Sequence, residues 1–202
     1  MSIDANGWEL LQAYRIRLAS SKDDLQQIFR LRHQVFAEEL RWVPQVNSGL
    51  EQDQYDTRAM LIGIFDSNGS AVGTIRLLFK PGIFMLEREF AIFLPDCPTG
   101  KTAPAEMTRL CVDPRIRRSG LGRQISQALF CAAYLACLSR DVHEADFVST
   151  PAFVHSLLER GFPCAPFGNT KTLCGEVKSV AARMYWDRLD AFEVFGSRVL
   201  KP

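Results

Sequence analysis

The chain is poor in everything that would announce a metal or a disulfide framework. It has three histidines and six cysteines, at positions 97, 111, 131, 137, 164 and 174, and no two of these form a C-x-x-C pair. A structural zinc site draws four nitrogen or sulfur ligands at closer spacing, so none is expected. Cys131 and Cys137 sit in an apolar run and read as small core residues. Charge of one sign is lacking too: 24 Lys+Arg against 23 Asp+Glu leave a formal net charge of +1. That excludes nucleic-acid binding by bulk positive charge. Long hydrophobic runs are missing, each being broken by Arg, Asp, Gly or Pro short of the roughly 20 residues that span a bilayer. The opening MSIDANGWELLQAY has no basic segment leading into an apolar one, which predicts no secretory signal, no membrane span and a cytoplasmic location.

What is present is a globular composition, 47% hydrophobic and 23% charged over 202 residues, the size of one domain spanning 1–202. Residues 14–19 alternate and read as a strand. Ser20 or Ser21 offers an N-cap, with Asp24 completing a capping box, ahead of a helix over about 21–39. Residues 43–57 carry no periodicity and predict a long loop, of a length that in a compact domain is usually functional or mobile. Met60 to Phe65, the turn Asp66-Ser67-Asn68-Gly69 and Ala71 to Phe79 predict a β-hairpin. A loop over 91–104, a strand from Glu106 to Val112, a helix from Ser119 to Leu138 and a strand from Asp146 to Ser149 follow. The pattern then gives a helix from Pro151 to Arg160 closed by Gly161, a strand near Thr170 to Val177 and a helix near Ser179 to Phe192. This order is α/β on a mixed sheet, because the hairpin demands antiparallel pairing and helical crossovers favour parallel pairing.

Four groups of residues carry chemistry. Arg117-Arg118-Ser119-Gly120-Leu121-Gly122 lies between a strand and a helix, with Arg115 and Arg123 beside it. Glycines expose successive N–H groups there and the helix adds its positive end, which together suit a phosphate or pyrophosphate. The R-x-x-G-x-G spacing of Arg117, Gly120 and Gly122 resembles the acyl-carrier binding loop of the GNAT N-acyltransferases. Glu106 and Arg109 put opposite charges into the strand that feeds this loop, where they are costly unless paired or used. Positions i and i+3 of a regular strand face opposite ways, so a shared cleft requires a bulge or splay between Glu106 and Val112. Glu51, Asp53 and Asp56 crowd one loop, fit to hold a cation or to pair with arginines, and their spacing is not that of a calcium loop. Arg32 and Phe36 share a helix face and, with Trp42, offer an aromatic wall to a sulfonium or ammonium group.

Arg32, Phe36, Trp42, Asp53, Asp56, Arg76, Phe90, Glu106 and Arg109 together resemble the signature of the acyl-homoserine lactone synthases, the LuxI-type autoinducer synthases. The stretches RHQVF, LRW, GLEQDQYD, VGTIRLL, MLEREF and EMTRLCV carry the likeness, over about residues 14–165. The resemblance implies a GNAT-like three-layer α/β sandwich with a mixed central sheet flanked by helices. It implies an N-acyltransferase that joins an acyl group from acyl carrier protein, or from acyl-CoA, to S-adenosyl-L-methionine, closes the lactone and releases methylthioadenosine. It implies no permanently bound cofactor and no metal. Glu106, Arg109, Asp53 and Asp56 become the catalytic group, with Glu106 as base or water-positioning residue. Arg32, Phe36 and Trp42 become the adenosylmethionine contacts, and Asp53 and Asp56 orient Arg32 and Arg109. Arg76, which is free to pair with Glu106 or Asp53, joins Phe90, Cys111, Arg117, Gly120 and Gly122 on the donor side. Leu110, Phe147, Ser149, Phe153 and Leu157 become the acyl-chain lining, though as mostly apolar residues they equally suit plain core. The alternatives are an N-acyl amino acid synthase that uses a free amino acid and a non-catalytic acyl-carrier sensor on the same fold.

Overall fold

The computed structural model describes residues 13–94, 102–173 and 177–196. The opening segment read above for a leader, Cys97 and Cys174, the middle of the 91–104 loop and residues 174–176 of the strand expected near Thr170 lie outside the described residues. By packing, the chain forms two compact units, one of residues 1–77 with 109–133 and one of 78–108 with 134–202.

The first unit carries strands in the order β1-β2-β3-β4. β1 (Arg15–Leu18) pairs antiparallel with β2 (Met60–Phe65), which pairs antiparallel with β3 (Ala71–Phe79). The hairpin is the one expected: Asp66 Oδ1 accepts the N–H groups of Asn68 and Ser70, both at 2.9 Å, and Gly69 takes a positive φ of 79° that closes the turn. β3 is buried along nearly its whole length, so its apolar run packs on both faces. A Cβ on Gly73 would stand 2.6 Å from the Ile125 side chain; the missing side chain is what lets helix α3 (Gly122–Leu138) press onto β3.

Helix α1 (Lys22–Arg32) starts where Ser21 Oγ accepts the Asp24 N–H at 3.0 Å. Asp24 does not complete a capping box; its carboxylate pairs with Arg17 of β1 at 2.6 Å. The helix expected to continue to 39 does so, but residues His33–Glu39 widen into a π-helical segment. Widening displaces the i→i−4 ladder, and the chain leaves through Arg41, which has a left-handed φ of 55°. Ile28, Leu31, Val35, Phe36, Leu61, Phe65 and Cys111 form this unit's core.

The second unit carries the order β4-β5-β7-β6. β4 (Ala105–Val112) pairs parallel with β5 (Glu144–Ser149), through Ala105 opposite Ala145 and Glu106 opposite Asp146. β5 and β6 (Cys164–Leu173) both pair antiparallel with β7 (Val177–Tyr185). Helix α4 (Pro151–Glu159) is capped by Thr150 and followed by Gly161 at φ 81°, as expected.

Two further readings are corrected. The helix near Ser179 to Phe192 is β7, a strand that ends at Tyr185, followed by a single 3-10 turn at Trp186–Arg188 and the short α-helix Ala191–Phe195 (α5). The Val-Ala-Ala stretch suits a helix locally, but hydrogen bonding to a strand on each side and burial of Val180, Ala181, Ala182 and Met184 override that propensity. The helix expected from Ser119 begins at Gly122 (α3), and a short helix not marked in the sequence reading precedes it: α2 (Pro114–Arg118), capped by Asp113 with Pro114 at its first turn.

Candidate functional site

Six side chains of the first unit form a closed ring of alternating charge. Arg32, the last residue of α1, grips Asp56 with Nη1 and Nη2 at 2.7 and 3.1 Å. Asp56 Oδ1 also accepts from Arg76 Nη1 of β3 at 2.8 Å, and the same nitrogen lies 2.5 Å from Asp53 Oδ1. Asp53 Oδ2 accepts from Arg109 Nη2 at 2.9 Å. Arg109 reaches Glu51 Oε1 through Nε and Nη2 at 3.1 and 3.0 Å. Glu51 returns to Arg32 through a short hydrogen bond from Nε, and the ring is closed. Three guanidiniums and three carboxylates leave it neutral. Arg32 and Arg76 are wholly buried, where unpaired charge is prohibitive.

The acid loop is built to present its carboxylates this way. Glu51 N–H donates to the Phe29 carbonyl at 3.0 Å, which ties the loop to α1. Asp53 Oδ1 accepts the Tyr55 N–H at 2.9 Å, and Asp56 Oδ2 accepts the Asp53 N–H at 2.7 Å. These local turns spend some acceptor capacity on the backbone and aim the rest at arginine. Burial works against the charge of Asp56, but Arg32 and Arg76 outweigh it and hold the carboxyl below its ordinary range. Burial likewise opposes the Arg32 cation, and the hydrogen bonds to Asp56 and Glu51 more than offset it, so its pKa is raised.

Next to this ring stands the aromatic pair. Phe36 and Trp42 stack with centroids 6.2 Å apart and 26° between planes, and the Arg109 guanidinium lies 5.7 Å from the Phe36 centroid. The π-helical widening is what brings them together: the Trp42 N–H donates to the Phe36 carbonyl at 2.8 Å. Arg109 itself has a φ of 53° in the middle of β4. β4 runs as one strand from Ala105 to Val112, and this left-handed φ at Arg109 lies within the Glu106–Val112 span where a bulge or splay was expected.

The glycine loop is only partly as expected. Gly120 has φ 86°, and a Cβ on Gly122 would meet the Arg117 Cα at 3.0 Å, so both glycines serve the turn. Arg117 is engaged, with Nε on the Val112 carbonyl at 3.1 Å and Nη2 on Glu39. Arg115 folds back onto Asp113 at 2.7 Å. Arg118 and Arg123 are exposed, with no carboxylate partner among the described residues. Cys111 is core, and burial pushes its thiol up to about 12; any share in donor binding falls to its backbone. Leu110 is half-buried in this unit.

In the second unit Glu106 is wholly buried. Its Oε2 accepts the Met85 N–H at 2.8 Å and its Oε1 the Leu86 N–H at 2.9 Å. Phe90 packs edge-on against Phe93, centroids 6.2 Å apart. Phe147 and Leu157 are buried, and Ser149 and Phe153 half-buried. Among the described residues no group of His, Cys, Asp and Glu is placed to hold a metal, and no helix is long and apolar enough to cross a membrane.

Glu51 received no role of its own from the sequence, yet it is the link between Arg32 and Arg109. The signal was its place in a run of three acids, which one sequence cannot separate from solvated loop charge.

The chain has known relatives. The autoinducer synthase family model matches residues 17–193. An acyl-homoserine-lactone synthase from Rhizobium radiobacter is 30% identical over 169 residues, covering 81% of this chain and 79% of that protein. Among solved structures, the AHL synthase LasI superposes with a TM-score of 0.80 at 21% identity, covering 94% of this chain and 98% of that one. A CoA-dependent acyl-homoserine lactone synthase, BjaI, solved with SAM and isopentyl-CoA, gives 0.70 at 24%, covering 86% and 79%. The fold is α/β and GNAT-like, and the chain belongs to the autoinducer synthase family.

Proposed function

We propose that this autoinducer synthase makes an acyl-homoserine lactone from S-adenosyl-L-methionine and an acyl thioester. The observation that carries the reading is the ring. Five of the positions that match the family signature in sequence, Arg32, Asp53, Asp56, Arg76 and Arg109, converge on one another, and two more, Phe36 and Trp42, stack beside Arg109.

The chemistry asks for what these residues supply. The adenosylmethionine amine loses a proton and attacks the thioester carbonyl; the C–S bond breaks and the carrier leaves as the thiol. The methionine carboxylate then attacks its own γ-carbon, and the sulfonium C–S bond breaks to release methylthioadenosine. Glu106 takes the amine proton or positions a water that does; two backbone N–H donors holding its carboxylate in one orientation support that role. Phe36 and Trp42 give the sulfonium cation an aromatic face. Asp53 and Asp56 orient Arg32, Arg76 and Arg109, and a neutral ring leaves the pocket free of excess charge of either sign. The left-handed turn at Arg109 supports a backbone N–H of Leu110 to Val112 as donor to the thioester oxygen. Arg117, Gly120, Gly122 and Phe90 serve the donor. Leu110, Phe147, Ser149, Phe153 and Leu157 line the acyl chain. Acyl carrier protein or acyl-CoA delivers the acyl group, as acyl-CoA does for BjaI.

Mass spectrometry of an organic extract from cells expressing the chain tests this reading. The reading expects an acylated homoserine lactone absent from control cells. An N-acylated amino acid instead would establish the amino-acid synthase alternative.

A further inference from the structure

Within the second unit, Glu106, Asp146 and Arg183 stand in one cross-strand row. Glu106 of β4 is the register partner of Asp146 of β5, which is in turn the register partner of Arg183 of β7. Register partners leave the sheet on the same face, so two wholly buried carboxylates adjoin and one guanidinium flanks them. The row is wired to the chain ahead of β4. Asp146 Oδ2 accepts the Ala103 N–H at 2.6 Å, while Oδ1 accepts from Arg183 Nε at 2.7 Å and Oδ2 from Nη2 at 3.1 Å. Arg183 is steadied by Glu144 at 3.2 Å and stacks 5.4 Å from the Phe167 centroid. Glu106 in turn holds the N–H groups of Met85 and Leu86, and Glu87, the next residue, is fixed by Thr102 Oγ1 at 3.0 Å and by Lys80.

We infer that Asp146 and Arg183 are a positioning pair for Glu106. They clamp the chain at Ala103, immediately before the strand that carries Glu106, and so set the angle at which its carboxylate meets Met85 and Leu86. Stability alone does not demand such a pair, because apolar residues of similar volume often replace buried ion pairs without loss. What apolar residues cannot do is accept the Ala103 N–H on a carboxylate whose two oxygens the Arg183 fork also holds. The inference rests on the role given to Glu106 above.

The test is a double-mutant cycle on the full chain, with kcat and both KM values read for Glu106→Gln, Asp146→Asn and the two combined. Asparagine keeps the size of Asp146 but turns an NH2 group toward donors. Asp146→Asn should lower kcat on the order of tenfold or more, since small misplacements of a reacting group cost that much, with both KM values moved less than about twofold. The combined variant should be no slower than Glu106→Gln alone, because a residue that acts only through Glu106 has nothing left to position. Arg183→Lys, which keeps the charge, should recover most of the rate lost in Arg183→Gln. It carries the test if Asp146→Asn does not fold. Losses that multiply, or an unchanged kcat in folded Asp146→Asn and Arg183→Gln, would overturn the inference. A fully active Glu106→Gln would instead overturn the role of Glu106 itself, whatever Asp146 does.

Discussion

Arg76 Nη1 lies 2.5 Å from Asp53 Oδ1, and the arginine is wholly buried while the aspartate is partly open to solvent. The contact brings a charge from inside the sheet to the edge of the acid loop, and the same nitrogen also meets Asp56. Removing the guanidinium leaves two carboxylates short of a partner at once. Arg76→Met should cost about 3–5 kcal/mol, the usual cost of breaking a buried ion pair, read as a shift of the urea midpoint. Arg76→Lys should recover only part, since an ammonium cannot reproduce the planar fork. A loss under about 1 kcal/mol for Arg76→Met would show that the ring is not a unit.

The ring also makes the fold sensitive to acid. Asp56 has a folded pKa held below its unfolded value of about 3.9. A depressed carboxyl contributes stability that is fully present above the unfolded value and is lost as pH falls through the folded one. Unfolding free energy should therefore drop below about pH 4, and Asp56→Asn should flatten that drop while lowering stability at pH 7. A parallel pH dependence in the two proteins would contradict the assignment.

Arg118 is exposed beside the glycine loop, where an acidic carrier protein would be steered by charge. Arg118→Glu should raise KM for an acyl-carrier-protein donor, and added salt should shrink the difference. If KM neither changes nor responds to salt, carrier docking at this loop is excluded and acyl-CoA becomes the favoured donor.

Phe153 lies in the first turn of α4, half-buried, its N–H bonded to Thr150 Oγ1 at 3.2 Å. In the role proposed for it as lining of the acyl chain, Phe153→Ala should shift the product distribution toward longer chains in mass spectra of the extract. An unchanged distribution would return Phe153 to plain core.

Much of this was legible in the sequence, and the parts that were not have physical reasons. The 60–79 hairpin, the Ser21 cap and the α4 helix are local events, written in turn residues and caps. The left-handed backbone at Arg109 lies where two charges three positions apart had to be reconciled with strand alternation. By contrast, β7 is set by the strands on either side of it, and its Val-Ala-Ala run has no local feature that says strand. The π-helical widening at His33–Glu39 leaves no mark in the pattern of apolar residues, because helix and π-helix bury the same face over so short a stretch. The ring was half legible: the acids and arginines stood out singly, but which pairs with which depends on where α1, β3, β4 and the acid loop meet. The Asp146–Arg183 pair was invisible because Arg183 fell in a segment whose pattern suggested a helix.

The most direct test of the account is the stoichiometry of methylthioadenosine. Purified protein, given S-adenosyl-L-methionine and an acyl thioester, should release one methylthioadenosine for each acyl-homoserine lactone formed, with acyl-carrier-protein and acyl-CoA donors run side by side. Free thiol released in step with an N-acylated amino acid, and no methylthioadenosine, would contradict the account.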